Sequence, residues 1–453
     1  VPSGEKKKER GMPSKPQLID MIRTVPEVAV RLWAGGIPCP SDDGVRIKFE
    51  DRAPVFHPDI YQEADKVYKV LAIRWGGRML RTIQDVLDLR HAAEDAFLEH
   101  LFQKDNIPNV LFVPAGETAS GYYRAMIPAD LLNEGGRVIS HWTARPDVSK
   151  ALRYNVLWIQ LITADILTEI ARQAQNQGVK IVYDIDDRLD AIPDGNQAKT
   201  VYGTPEKQAE IDAMIRVADL VTVTTEPLAR HFAERYPGKP VRVLPNMLTA
   251  NVLPKRQPPN PAFVRILWAG SATHKMDLAI VAPAIRELLR ERAGKVRFTL
   301  FGERLPEVLA DCYEWVDLKK PVDFDSYHDE LADIAADFGI VPLEDNEFNT
   351  GKSGLKGLEY AAAGYPLLCS PVAEYPSMVQ AGFPIELVPD DGWPDALRRM
   401  VDLTRAERDV LGRAALHWVC ENRCMGKTRA SQWADVVCNL VPKTPKTELK
   451  LVK

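Results

Sequence analysis

Residues 342–370, PLEDNEFNTGKSGLKGLEYAAAGYPLLCS, hold the densest set of side chains able to do chemistry. A β-branched run, DFGIVPL, leads into a polar loop, and the spacing predicts a helix from about Ser353. Lys352 and Lys356 stand four residues apart and Glu359 three further on, which places them along one helix face. A helix N-terminus offers free N–H groups and partial positive charge, so two added lysines suit a diphosphate. Glu359, one turn deeper, is placed to accept hydrogen bonds from a ribose diol, and Phe348 and Asn349 lie in the entering loop. The plainer alternative is a solvated Lys/Glu face. Thr350-Gly351-Lys352-Ser353 also contains the ending of a P-loop, but the first glycine of that motif would fall at Asn346, so the phosphate cradle is not specified.

Three further clusters follow predicted strands. WAGSATHKMD (268–277) supplies Gly270 and Ser271 for close backbone approach, with Lys275 in reach of phosphate oxygens; His274 reads as a surface loop residue. Phe301-Gly302-Glu303 is a candidate wall for a nucleotide base. AGETASGYYR (115–124) provides Gly121, Tyr122, Tyr123 and Arg124, suited to an acceptor or to the faces of sugars and bases, or else to a packed turn. YDIDDRLDAIP (183–193) sets Asp184, Asp186 and Asp187 at a strand end. Acids crowded without a cation raise the pKa of one of them, which suits a proton acceptor, with Asp187 first and Asp186 second. Asp184 falls deeper, as a fold support. Asp184-Ile185-Asp186 also matches a DxD metal site, and strand capping is the plain reading. His141, ending RVISHW, is a further candidate on this wall.

These clusters need strand ends to hold them. From residue 109 short β-branched runs alternate with longer amphipathic patterns, the rhythm of a parallel sheet covered by helices. NVLFVP, RVISHW, NVLWIQ, KIVYDI, ADLVTVTT and VRVLP make a first Rossmann-like domain over 109–250. A Pro-rich linker occupies 251–263. VRILWAG, VRFTLFG, DFGIVPL and YPLLCS make a second domain over 264–402, with helices expected over 277–291 and near 327–336. Helices and a basic tail fill 403–453, the first opening at a Thr404/Glu407 capping box. Residues 1–108 read as an added, mainly helical region. The fold class is α/β, two doubly wound parallel-sheet domains facing a cleft, where ligands sit outside the carboxyl ends of the strands.

The 453 residues carry a net charge of −5, with 45% hydrophobic and 27% charged residues, which excludes a disordered chain and a uniformly cationic nucleic-acid coat. The six cysteines are scattered without metal-ligand spacing, as expected for reduced thiols in a cytoplasm. No apolar run reaches the roughly 18 residues of a membrane span. LAIRWGGRMLRTI (71–83), with Arg74, Arg78 and Arg81 beside apolar residues, is a candidate for peripheral membrane or DNA phosphate contact, or for ordinary helix packing.

The stretch F-N-x-x-K-S-x-x-K-x-x-E-Y-x-A-x-G-x-P, Phe348 to Pro366, resembles the donor-binding signature of two-domain GT-B glycosyltransferases, in particular the large retaining group with many bacterial and phage members. The resemblance spans roughly residues 109–440. It implies a UDP- or GDP-sugar donor, with Glu359 on the ribose and basic groups near Lys352 on the diphosphate, and it matches the phosphate loop to Gly270 and Ser271. Many members carry a second glutamate eight residues before the ribose-binding one; here that position is Gly351, which transfers sugar contact to Glu347 or to backbone groups. No metal is required, although Mg or Mn is compatible. The acceptor, a glycan, a protein or a modified DNA base, leaves no mark. The alternative is a phage or cell-surface assembly protein that keeps the fold as a binding module.

Overall fold

The computed structural model describes residues 107–441, apart from 117, 135, 163 and 250–255. The segment 71–83, nearly all of the region 1–108, the basic tail and part of the linker lie outside the described residues. The chain divides into two compact units, one of 1–109, 129–141 and 442–453 and one of 110–128 and 142–441. In the first, strand β2 (Ile139–Trp142) is tied to the preceding helix by the Asn133 amide, which bonds both the N–H and the C=O of Ser140 at 2.9 Å.

Among its described residues the second unit contains two large parallel sheets and one short parallel pair. Strands β1 (Asn109–Val113), β3 (Val156–Gln160), β4 (Lys180–Asp184), β5 (Leu220–Val223) and β6 (Val241–Val243) pair in that order. β1, β3 and β5 are buried at every residue, which is why they read as continuous apolar runs rather than as alternations. Registry places Gln160 beside Asp184, and Asp184 beside Thr222, at the carboxyl ends. A two-residue strand, β7 (Leu248–Thr249), follows.

The second sheet contains β8 (Val264–Ala269), β9 (Val296–Phe301), β10 (Val316–Lys319), β11 (Phe338–Val341), β12 (Leu367–Cys369) and β13 (Glu386–Leu387), ordered β10-β9-β8-β11-β12-β13. The chain changes direction of travel between β8 and β11, and in open α/β sheets a crevice opens at that point. Helix Lys275–Glu291 covers one face and packs against helix Trp393–Asp402, with Trp268, Phe298 and Trp393 in the core between them. Strands β10 and β13, short and half exposed, carry no apolar run and escape the periodicity.

The end of the described chain returns to the first sheet. The Thr404/Glu407 capping box opens helix Arg405–Asn422, strand β14 (Cys424–Met425) pairs with β7, and Trp433 of helix Lys427–Leu440 stacks on Trp158 at 5.0 Å. No described helix is long and apolar enough to cross a membrane.

Candidate functional site

A cavity of about 600 Å³ lies between the carboxyl ends of the two sheets in the second unit, within the size range of small-molecule sites. Lys352, Ser353, Lys356, Glu359 and His274 line one side, Ser120, Tyr122, Asp186 and Asp187 the other.

The chain after β11 makes one turn, Glu347–Thr350, capped by the Asn346 side chain, and then helix Leu355–Ala362. That helix opens later than its sequence pattern predicts, because Gly354 is its N-cap. Lys352 therefore sits in the entering loop rather than on the helix face, with its ammonium 4.3 Å from the Phe348 ring centroid and 3.3 Å from Asp187 Oδ1. Lys356 lies on the helix, its ammonium 5.1 Å from the Trp268 ring centroid. Burial lowers its pKa to about 8, aided by repulsion from Lys352 and opposed by Asp277 and Glu359. An anion in the cavity would keep it charged. Ser353 Oγ accepts from the Asn246 amide at 2.9 Å, which leaves its own proton to donate.

Glu359 is 7% exposed. Tyr123 donates to Oε1 at 2.9 Å and Tyr327 to Oε2 at 3.3 Å. Burial pushes its carboxyl up to about 7 against these hydrogen bonds and the nearby Lys356. Tyr123 also lies 2.8 Å from His328 Nε2, and Tyr122 stacks on Phe324 at 4.2 Å.

Other residues singled out from sequence occupy supporting places. Gly270 does not line the cavity: a Cβ there would meet Trp268 at 2.8 Å and the Lys356 ammonium at 3.0 Å. Gly302 takes φ +97°, and a Cβ there would strike the Gly270 carbonyl oxygen at 2.7 Å. Phe348 carries Lys352, while Asn349 is buried and donates to Asp277 Oδ1 at 2.9 Å and to the Glu344 carbonyl at 3.0 Å. Lys275 is exposed and off the cavity, because it starts its helix one residue past the bend that turns His274 inward. Ser271 is exposed and bonds Thr273. His274 is no plain surface residue: its Nδ1 meets Asp277 at 2.8 Å. Burial and then Lys356 lower its pKa to about 4. The neutral ring thus donates through Nδ1 and keeps Nε2 as an acceptor. Glu347, the candidate for sugar contact, is largely exposed, pairs with Arg188 at 3.3 Å and does not line the cavity.

Arg124 is not a cleft residue. It is fully buried, with Nε and Nη2 on the two oxygens of Asp184 at 2.9 and 2.7 Å and Nη1 on the Leu244 carbonyl at 2.6 Å. Thr222 donates to Asp184 at 2.7 Å. The pair closes the carboxyl end of the first sheet, a fold-supporting place for Asp184. Gly121 is needed where its helix turn crosses the Gly116 carbonyl, which a Cβ would strike. Beyond β4, Asp186 Oδ2 accepts from Ser120 at 2.5 Å, and its Oδ1 is buried without a partner among the described residues. Asp187 faces Lys352; burial raises its pKa, opposed by the lysine and reinforced by Asp186. His141 is buried on β2 in the other unit. No described group of three or more His, Cys, Asp or Glu side chains is arranged to hold a metal ion.

Ser120, Gln160, Tyr327, His328 and Asn246 gave no signal of their own in the sequence. Ser120 lies inside a flagged loop and Gln160 ends a flagged strand, where a glutamine after an apolar run was the available clue.

No protein-family model and no curated protein sequence matches this chain. Solved structures share its fold. A glycosyltransferase from Rickettsia africae superposes with a TM-score of 0.54 at 12% identity, over 75% of this chain and 100% of that one. Anabaena HepE in complex with UDP gives 0.52 at 12%, over 74% and 100%. Sucrose-phosphate synthase from Thermosynechococcus elongatus gives 0.51 at 13%, over 74% and 99%. At these identities the likeness is one of fold: two Rossmann-like domains in the GT-B arrangement.

Proposed function

We propose that this chain is a glycosyltransferase that moves a sugar from a nucleoside diphosphate sugar to a hydroxyl-bearing acceptor. The observation that carries the reading is one cavity bounded by Lys352, Ser353, Lys356 and Glu359 after β11 and by Asp186 and Asp187 after β4. UDP in the HepE structure supports a uridine or related donor.

Lys352, Lys356 and the Ser353 hydroxyl would take the diphosphate, and Glu359 the ribose hydroxyls. As the bond from the anomeric carbon to the phosphate oxygen breaks, the charge growing on that oxygen is met by the two ammonium groups. The acceptor oxygen bonds to the anomeric carbon and its proton passes to Asp187, whose raised pKa suits the task. Diphosphate competes with Asp187 for Lys352, so donor binding itself frees the base. The signature favours a product that retains the donor's anomeric configuration.

The test is a panel of UDP- and GDP-sugars assayed for nucleoside diphosphate release, with calorimetry for UDP and GDP and NMR of the product anomer. Absence of both binding and release across the panel would refute the reading.

A further inference from the structure

Gln160 is a glutamine at the end of a strand otherwise made of Val, Leu, Trp and Ile, and it is fully buried. A buried amide is costly unless its hydrogen bonds are met. Both of its polar atoms are engaged: Oε1 accepts from the Ala115 N–H at 2.9 Å, and Nε2 donates to Ser120 Oγ at 2.7 Å.

The direction of every link in this chain is forced. A backbone N–H only donates, so it sets which end of the Gln160 amide is oxygen. The amide nitrogen only donates, so it takes a lone pair of the Ser120 hydroxyl. The single hydroxyl proton of Ser120 is left for Asp186 Oδ2, 2.5 Å away. The chain runs from the end of β1, through the end of β3, to a carboxylate that lines the cavity, and it holds Asp186 as an acceptor. Its neighbour Asp187 is tied to Lys352, whereas Asp186 Oδ1 has no partner among the described residues. A buried carboxylate oxygen left unpaired calls for an explanation, and Asp186 lines the cavity, which brings an acceptor hydroxyl next to this carboxylate.

We propose that Gln160 and Ser120 are positioning residues which fix the Asp186 carboxylate so that it receives and orients the hydroxyl of the acceptor. This rests on the glycosyl-transfer reading and adds to it a division of labour: Asp187 takes the proton, while Asp186 aims the oxygen that carries it. Gln160 and Ser120 are neutral, stand at the carboxyl end of the first sheet, and make no described side-chain hydrogen bond to Lys352, Ser353, Lys356 or Glu359.

The test uses the full chain and the UDP- or GDP-sugar that the wild type turns over, with water and glycerol as acceptors. Nucleoside diphosphate release and, by calorimetry, nucleoside diphosphate affinity are both measured. Ser120→Ala should lower turnover about tenfold, the scale of one hydrogen bond to a charged group, with affinity for the nucleoside diphosphate unchanged. Ser120→Thr, which keeps the hydroxyl, should restore most of the rate. Gln160→Met, which keeps the length but removes both hydrogen bonds of the amide, should lower turnover in the same way although the Ser120 hydroxyl is present. In an Asp186→Asn background, Ser120→Ala should cost less than about twofold more, because the two act as one unit. A wild-type rate in Ser120→Ala, a full further loss in the Asp186→Asn background, or weakened nucleotide affinity in Ser120→Ala would overturn the relay while leaving the donor reading intact. A wild type that neither binds nor turns over any member of the panel would overturn both.

Discussion

Replacing Glu359 by Gln separates what this carboxylate costs the fold from what it contributes to binding. Its pKa rises from the ordinary 4.5 to about 7, chiefly through burial, so the folded state holds the proton more tightly than the unfolded chain. Stability attached to this group is therefore complete below about pH 4.5 and declines as pH rises to about 7. Each pH unit in that window is worth about 1.4 kcal/mol, so ionised Glu359 costs the fold roughly 3 kcal/mol at pH 8. Glutamine never ionises, and it can still accept from one tyrosine and donate to the hydroxyl oxygen of the other. Glu359→Gln should melt close to wild type at pH 4.5 and roughly 3 °C higher at pH 8. Its affinity for the nucleoside diphosphate should fall by roughly 1.5–3 kcal/mol, the worth of a charged hydrogen bond. Scanning calorimetry at the two pH values, with titration calorimetry at pH 8, reads both effects. An equal melting difference at both pH values would refute the burial argument, and unchanged affinity would remove Glu359 from the donor site.

Asp187→Asn should tighten nucleoside diphosphate binding several-fold, since Lys352 loses its competitor, while lowering turnover at least about a hundredfold; normal turnover with unchanged affinity would strike Asp187 from the mechanism. Arg124→Met leaves Asp184 buried without its partner and should cost roughly 3–5 kcal/mol in urea unfolding, whereas a loss below about 1 kcal/mol would contradict the buried pair. Turnover should survive chelation if, as proposed, Lys352 and Lys356 neutralise the donor diphosphate. A strict Mn²⁺ or Mg²⁺ requirement, abolished by Asp186→Ala, would instead point to metal-held phosphates.

The two-sheet architecture was legible because buried parallel strands leave continuous β-branched runs and their covering helices leave a 3.6-residue period, both local properties of the chain. The cluster on one wall of the cavity was legible for a similar reason: Lys352, Ser353, Lys356 and Glu359 fall within eight residues of one loop and helix, so local geometry brings them together wherever the helix starts. Its start was misplaced because Gly354, rather than a polar cap, ends the loop.

What sequence could not convey is which distant group each polar residue meets. Arg124 reads in the sequence as a residue of an acceptor loop or a packed turn; it becomes a core residue through Asp184, sixty positions away. Tyr123 finds Glu359 across 236 positions and Lys352 finds Asp187 across 165. Gln160, Ser120 and Asp186 come together from three separate strand ends and loops. Hydrophobic periodicity records which face of an element is buried and carries no term for the partner opposite it. Two large parallel sheets and the residue types along one wall of the cavity follow from local pattern alone. The second wall, and the protonation states of Glu359, Lys356 and His274, were decided by tertiary packing, because burial and pairing between far-separated residues set their electrostatics.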